Sequence, residues 1–266
     1  MRTLPVLILA VIAFSFTACG GAEPAEQDGL APRGAYHGEA MGMGATGAVD
    51  PAAPIPFTTI CPGSTRVYGV DVSYYQGAVN WSSVRAAGKQ FAYLRYSDGT
   101  GFIDPNFTTY WNNAKAAGLT VGAYQFFRAS QDPIAQADAL VNRLQALGGT
   151  GRPNLPPVID VETNDGMSNA TVISRMNSWL SRVQSRTGRQ PVLYTSPGYW
   201  SGLGSPYPSP LPYLWDAHWT SNCPTVPYPW GRLRFWQYSS TGSVSGISGS
   251  VDTDLYNGSL AEMQGL

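Results

Sequence analysis

Eight short apolar runs, rich in β-branched and aromatic side chains, punctuate residues 61–266: 66–73, 91–98, 120–127, 157–162, 191–196, 214–219, 234–239 and 251–256. Each ends at or near polar residues, the pattern of a strand buried on both faces and bounded by turns. Between the early runs lie stretches of helical periodicity at 81–87, 106–117, 133–147 and 168–187. Pro133 is placed as the first residue of its helix, and Gly88, Gly118, Gly148 and Gly188 are placed as C-caps. After Ser196 the helical period fades into a proline-rich stretch, SPYPSPLP at 205–212, while strands continue. The pattern predicts eight strands and about five helices. Repeated strand–helix units imply a parallel sheet with right-handed crossovers, and eight strands suit closure. The expected fold is α/β, a single irregular TIM-like (β/α) barrel whose late helices are missing. An open doubly wound sheet would carry a glycine-rich phosphate loop after its first strand, but Tyr-Tyr-Gln-Gly stands there. No nucleotide cofactor is expected.

The N-terminal pattern is of another kind. Arg2, the apolar stretch LPVLILAVIAFSF and the small residues before Cys19 read as an export segment over 1–18, too short to span a membrane. Phe16-Thr17-Ala18-Cys19 resembles a bacterial lipobox with Phe16 where leucine is preferred, so Cys19 is expected to be lipidated. Gly20 rather than aspartate follows it, which favours the outer membrane, with release into the medium as a further possibility. Residues 20–60 are rich in glycine, alanine and proline and show no apolar face; with Cys19 they are expected to form a tether. With Cys19 carrying lipid, Cys61 and Cys223 are left to pair in an oxidising envelope.

Composition narrows the function classes. The chain has 266 residues, 43% hydrophobic and only 12% charged, which excludes disorder throughout. Two lysines stand against fourteen arginines and the net charge is −1, so there is no basic stripe for a nucleic acid. The segment 61–266 alone carries 14 positive and 12 negative residues, a balance that would not repel an anionic wall polymer. It is expected to work as a monomer.

Barrel active sites gather at the C-terminal ends of the strands. The acids there are Asp71, Asp98, Asp160, Glu162, Asp216, Asp252 and Asp254. Asp160 and Glu162, two apart on one strand, share a face. One can then hold a proton that the other's charge keeps from leaving, as glycoside hydrolysis requires. Glu162 is the only glutamate between Ala40 and Ala261. Other catalytic classes fit poorly. His218 is the only histidine of the folded segment and lacks metal-ligand spacing, and Asp252-Thr-Asp254 lacks the surrounding residues of a calcium loop, so no metal is expected.

Seven ordered motifs, GVDVSYYQGAVNW (69–81), FAYLRYSDGTGFIDPNF (91–107), GAYQFFR (122–128), PPVIDVE (156–162), PVLYTSPGYW (191–200), LWDAHW (214–219) and FWQYSSTGSVSGISGSVDTDLYNG (235–258), resemble the glycoside hydrolase family 25 lysozymes, the Chalaropsis-type muramidases. The resemblance implies cleavage of the β-1,4 bond between N-acetylmuramic acid and N-acetylglucosamine of peptidoglycan, with retention and without a cofactor. It implies Glu162 as general acid, Asp160 as its partner, and Asp71 and Asp252 as two further groove acids. It leaves open whether Asp160 attacks the anomeric carbon or orients the substrate's own acetamido group. Arg95 and Asp98 stand where many members have lysine and glutamate, Gln125 where many have histidine, and Asp216 at a usually apolar place. Arg95, Asp98 and Gln125 are therefore expected to alter subsite contacts, Gln125 by removing a titratable group near the groove. Tyr74, Tyr124, Tyr194, Trp219 and Tyr238 are candidates to stack on sugar faces. Two other readings remain at this point: a chitinase-like hydrolase, disfavoured by the Asp71 and Asp252 motifs, and a wall-binding module without catalysis, disfavoured by retention of all four acids.

Overall fold

The computed structural model describes residues 57–266. In chain order the strands are β1 (Phe57–Thr59), β2 (Arg66–Val72), β3 (Phe91–Asp98), β4 (Phe102–Ile103), β5 (Thr120–Phe126), β6 (Val158–Asp160), β7 (Val192–Thr195), β8 (Tyr213–Ala217), β9 (Thr225–Pro227), β10 (Phe235–Gly242) and β11 (Val251–Asn257). The α-helices are α1 (Trp81–Ala86), α2 (Phe107–Ala116), α3 (Pro133–Ala146), α4 (Asn169–Thr187), α5 (Pro197–Gly202) and α6 (Leu260–Gln264), and a 3-10 turn covers Tyr74–Gln76. Eight strands close into a ring in the order β2, β3, β5, β6, β7, β8, β10 and β11, with β11 paired back to β2. All eight fall on the predicted apolar runs.

The pairings from β2 round to β10 are parallel, as repeated strand–helix units dictate. The last strand corrects the all-parallel expectation: β11 runs antiparallel to both β10 and β2, so the barrel is mixed. Only residues 243–250 (SVSGISGS) join β10 to β11. That is too short for a parallel crossover, which takes about a dozen residues, so the chain turns back as a hairpin. The late helices are indeed short or missing: α5 has one and a half turns, and the connection from β8 to β10 carries only β9.

The strands read as continuous apolar runs because both faces are covered. Inside the barrel, Phe91, Tyr93, Val158, Trp215, Phe235 and Tyr256 form one cluster, with the Tyr93 and Trp215 rings stacked at 4.7 Å. Gly69 and Gly122 make room for it, since a Cβ at either position would lie 2.3–2.5 Å from the Phe91 or Tyr93 ring. A larger cluster, including Trp111, Trp179 and Trp200, fills the space between sheet and helices. The helices begin at side-chain caps: Asn80, Asp132, Ser168 and Ser196 accept from backbone N–H groups of their first turns. Gly88, Gly118, Gly148 and Gly188 end helices with positive φ, as predicted.

A short strand precedes Cys61. β1 pairs with β9 from Phe57 onward, and Cys61 is joined to Cys223 by a disulfide immediately beside that small sheet. Three residues suffice for a strand once a partner edge and a covalent bond hold it, although composition there reads as linker. The export segment and Cys19 lie outside the described residues. Among the described residues no helix is long and apolar enough to cross a membrane.

Candidate active site

Strand alternation decides which side chains enter the barrel mouth. On β6, Val158 packs in the inner cluster while Ile159 and Val161 pack in the outer one. Asp160 and, just past the strand end, Glu162 therefore share the inward face. On β2 the same rule turns Val70 and Val72 outward and Asp71 inward. The hairpin does the rest: Asp252, near the start of β11, is the direct register partner of Asp71, near the end of β2. Asp71, Asp160, Glu162 and Asp252 thus line one groove of about 510 Å³, together with Arg95, Tyr124, Tyr194 and Trp219.

Gln237, on β10 between the outward Trp236 and Tyr238, ties four elements of this groove together. Its Nε2 donates to Asp71 Oδ2 at 2.7 Å, and its Oε1 accepts from the Tyr194 hydroxyl at 3.0 Å and from Trp219 Nε1 at 2.8 Å. Arg95 is held from behind by Asp104 at 3.3 Å, whose carboxylate also accepts from the backbone N–H groups of Tyr74 and Asn106. The Arg95 guanidinium lies 5.0 Å and 5.3 Å from the centres of the Tyr74 and Tyr75 rings. Below Asp71, fully buried Asp254 accepts from Trp215 Nε1 at 3.0 Å.

Packing acids this closely raises their proton affinity. Asp71 is pushed up to about 7 by burial, opposed by its hydrogen bonds to Gln237 and Asp254. Glu162 is likewise pushed up to about 7, by burial first and the Asp71 charge second, while Arg128 pulls it down. Burial, followed by Glu162 and Asp71, raises Asp160 well above the ordinary aspartate value, with Arg95 opposing. Asp252 is raised by burial, Asp71 and Glu162. The cluster cannot hold all its charges at neutral pH, and so it stores protons beside a cleft. The raised group matters most at Glu162, which is partly exposed at the groove and can pass its proton outward.

Four residues expected to contact substrate are placed elsewhere. Gln125 faces away from the groove: it is fully buried under α4, donating to Ser97 Oγ at 2.9 Å and accepting from Trp179 Nε1 at 2.8 Å. Its neighbour Tyr124 takes the inward position, so the amide sits in the outer layer as a packing group. Tyr238 also points outward, its ring 5.7 Å from that of Trp236, because Gln237 occupies the inward position. The Asp98 carboxylate is taken up by Arg128, through Nε and through Nη2 at 2.7 Å, and Arg128 Nη1 reaches Asp165 at 3.1 Å. Tyr74 stands behind the lining against Tyr75 and Phe102. Asp216 faces outward between Trp215 and Ala217, fully buried, with neither carboxylate oxygen partnered. His218 accepts from the Thr225 N–H and supports the β8–β9 connection.

Sequence reasoning missed Gln237 and Tyr75, and it placed Asp254 at a strand end without giving it a role in the groove. The available signal was parity, since in FWQYSS the glutamine shares the face of inward Phe235, and in VDTDLY Asp254 shares the face of Asp252.

Comparison with known proteins gives a consistent set of matches. The profile of Glycosyl hydrolases family 25 matches residues 70–247. The chain is 39% identical over 225 residues to lysozyme M1 of Streptomyces globisporus, covering 78% of this chain and 74% of that protein. It is 30% identical over 203 residues to the N,O-diacetylmuramidase of Chalaropsis sp., covering 70% of this chain and 96% of that protein. Among solved structures, the bacterial lysozyme from Streptomyces coelicolor superposes with a TM-score of 0.69 at 36% identity, over 77% of this chain and 98% of that one.

Proposed function

The chain belongs to glycosyl hydrolases family 25, and from that membership we propose how its groove works as a muramidase on peptidoglycan. The observation that carries the proposal is the meeting of Asp71, Asp160, Glu162 and Asp252 in a single groove at the barrel mouth. The enzyme is a glycoside hydrolase of the lysozyme type that acts on the β-1,4 bond between N-acetylmuramic acid and N-acetylglucosamine.

Glu162 is the general acid. With its carboxyl pushed up to about 7, a large share of molecules carry the proton at neutral pH, and it passes to the glycosidic oxygen as the bond to the anomeric carbon breaks. Positive charge then develops on the sugar ring, and the negative charge that the cluster of Asp160, Asp71 and Asp252 retains beside it supplies the field that stabilises it. Water completes the hydrolysis from the vacated face, giving up its proton to Glu162, and the anomeric configuration is retained. Arg95 fixes the groove wall beside Asp160, and Tyr124, Tyr194 and Trp219 offer ring surfaces to the sugar faces. Export through residues 1–18 and a lipid on Cys19 would hold the enzyme at the cell envelope, within reach of the wall.

The test is a digest of purified peptidoglycan by the full chain and by Glu162→Gln, with borohydride reduction of the products and mass spectrometry. Reduced muramic acid ends from the first and none from the second are expected. Reduced glucosamine ends would reassign the bond. Equal products from both proteins would remove Glu162 from its role.

A further inference from the structure

The proline-rich stretch at 205–212 plays no part in the groove, yet it carries the most exposed tyrosine among the described residues. Tyr207 is 60% exposed and Tyr228, on the β9 side, 49%. Their rings lie 6.4 Å apart at 60°, forming an open, angled pair on the flank of the barrel, and neither lines the catalytic groove. Two neighbouring rings left largely in water make an apolar patch that a ligand can cover.

The backbone that carries both rings is also anchored. Tyr207 sits between Pro206 and Pro208, and Tyr228 between Pro227 and Pro229. The Tyr228 carbonyl accepts from Trp200 Nε1 at 2.7 Å, Trp200 packs on Trp230 at 4.9 Å, and the Ser209 N–H donates to Asn177 Oδ1 at 3.0 Å. A rigid presentation removes the ordering cost that a flexible loop would incur on binding. Two residues beyond Tyr207 the chain enters a shallow depression lined by Ser181, Gln184 and Ser185 of α4 with Ser209 and Pro210. That depression offers hydroxyl and amide groups and no charged side chain.

Rings beside neutral hydrogen-bonding groups match the chemistry of an amino sugar. A pyranose presents a face of C–H groups to a ring, while its hydroxyl and acetamido edges seek donors and acceptors. An acidic peptide or a phosphate would find no cation among the residues that line the depression. We propose that Tyr207 and Tyr228, with Ser181, Gln184, Ser185 and Ser209, form a second glycan-binding surface that holds the sugar backbone of a wall glycan strand, through the faces and acetamido edges of its N-acetylhexosamines, outside the catalytic groove. The identity of the polymer rests on the peptidoglycan reading above; the surface itself does not.

The test uses the full chain carrying Glu162→Gln, so that the wall is bound but not digested, with and without Tyr207→Ala and Tyr228→Ala together. Sedimentation with purified sacculi should show binding weakened roughly ten-fold by the double substitution, each ring contributing about a factor of three. In the active chain the same double substitution should slow hydrolysis of insoluble sacculi while leaving that of short soluble glycan fragments within about two-fold. Both tyrosines are on the surface, so thermal melting should be unchanged. Unaltered sedimentation with sacculi would overturn the proposal, as would equal losses on soluble and insoluble substrates. Loss of partition onto phosphatidylcholine vesicles, or of self-association, with sacculus binding intact would assign the surface to a membrane or to a second copy instead. Hydrolysis of the soluble fragments by the unsubstituted chain reports separately on the peptidoglycan reading.

Discussion

Replacing Gln237 by methionine should move the alkaline limb of the pH–activity profile to lower pH. Methionine preserves the volume of this buried position but removes one donor and one acceptor, and with them three hydrogen bonds. The bond at 2.7 Å to Asp71 Oδ2 favours the charged carboxylate. Hydrogen bonds to charged groups contribute about 1.5–3 kcal/mol, and about 1.4 kcal/mol moves a pKa by one pH unit. Allowing for water at the groove, Asp71 should rise from about 7 by roughly one pH unit. At neutral pH it is then mostly neutral. The Asp71 charge is the second of the two influences that hold the Glu162 proton, so Glu162 should release its proton at a lower pH than in the wild type. Because the acid must be protonated to act, kcat/KM should begin to fall earlier on the alkaline side, by several tenths of a pH unit. Freed Tyr194 and Trp219 should raise KM as well. The assay is kcat/KM on a soluble glycan fragment between pH 4 and 9. A uniform fall at every pH, with the alkaline limb in its original place, would refute the coupling and leave Gln237 a purely structural residue.

Arg128→Gln should shift the same limb the other way, because Arg128 lowers the Glu162 pKa; the pH profile of kcat/KM checks the sign. Asp216→Leu should stabilise the protein at neutral pH by about 1–3 kcal/mol, since it removes two buried oxygens without partners. Burial raises the Asp216 pKa well above 3.8, so wild-type stability is lost as pH rises from the unfolded toward the folded value. The gain from leucine should therefore be larger at pH 8 than at pH 4, as read by urea unfolding at both. Cys61→Ala with Cys223→Ala opens a link between residues 162 apart, which in the chain-entropy account costs up to about 5 kcal/mol; calorimetry should show a melting temperature lower by roughly 5–15 °C.

Strand positions were legible in the sequence because a barrel strand covered on both faces must be apolar at consecutive positions. The catalytic acids were legible for a complementary reason, as charges that interrupt such runs at their ends. What the sequence concealed was direction and partnership. β11 resembles the other strands in composition, and only the shortness of residues 243–250 betrays that it turns back. Gln125 and Tyr238 were assigned to the groove from motif position, yet each is one residue out of phase with the inward face. Asp98 was assigned from its place at a strand end, but its claimant, Arg128, lies 30 residues away and meets it only in three dimensions. Gln237 carries the most connections in the groove and the least signal, since one polar residue in FWQYSS looks like any alternation.

The seam between β2 and β11 has a consequence in time. Asp71 comes from the first strand of the ring and Asp252 from the last, and they face each other only when the end of the chain has docked against its beginning. A ribosome that has delivered residues 57–240 has released Asp71, Asp160 and Glu162 but no closed ring. The pairings that complete it span most of the domain and form late. An enzyme that dissolves cell walls therefore stays inert throughout its own synthesis, and its first turnover must await its final strand.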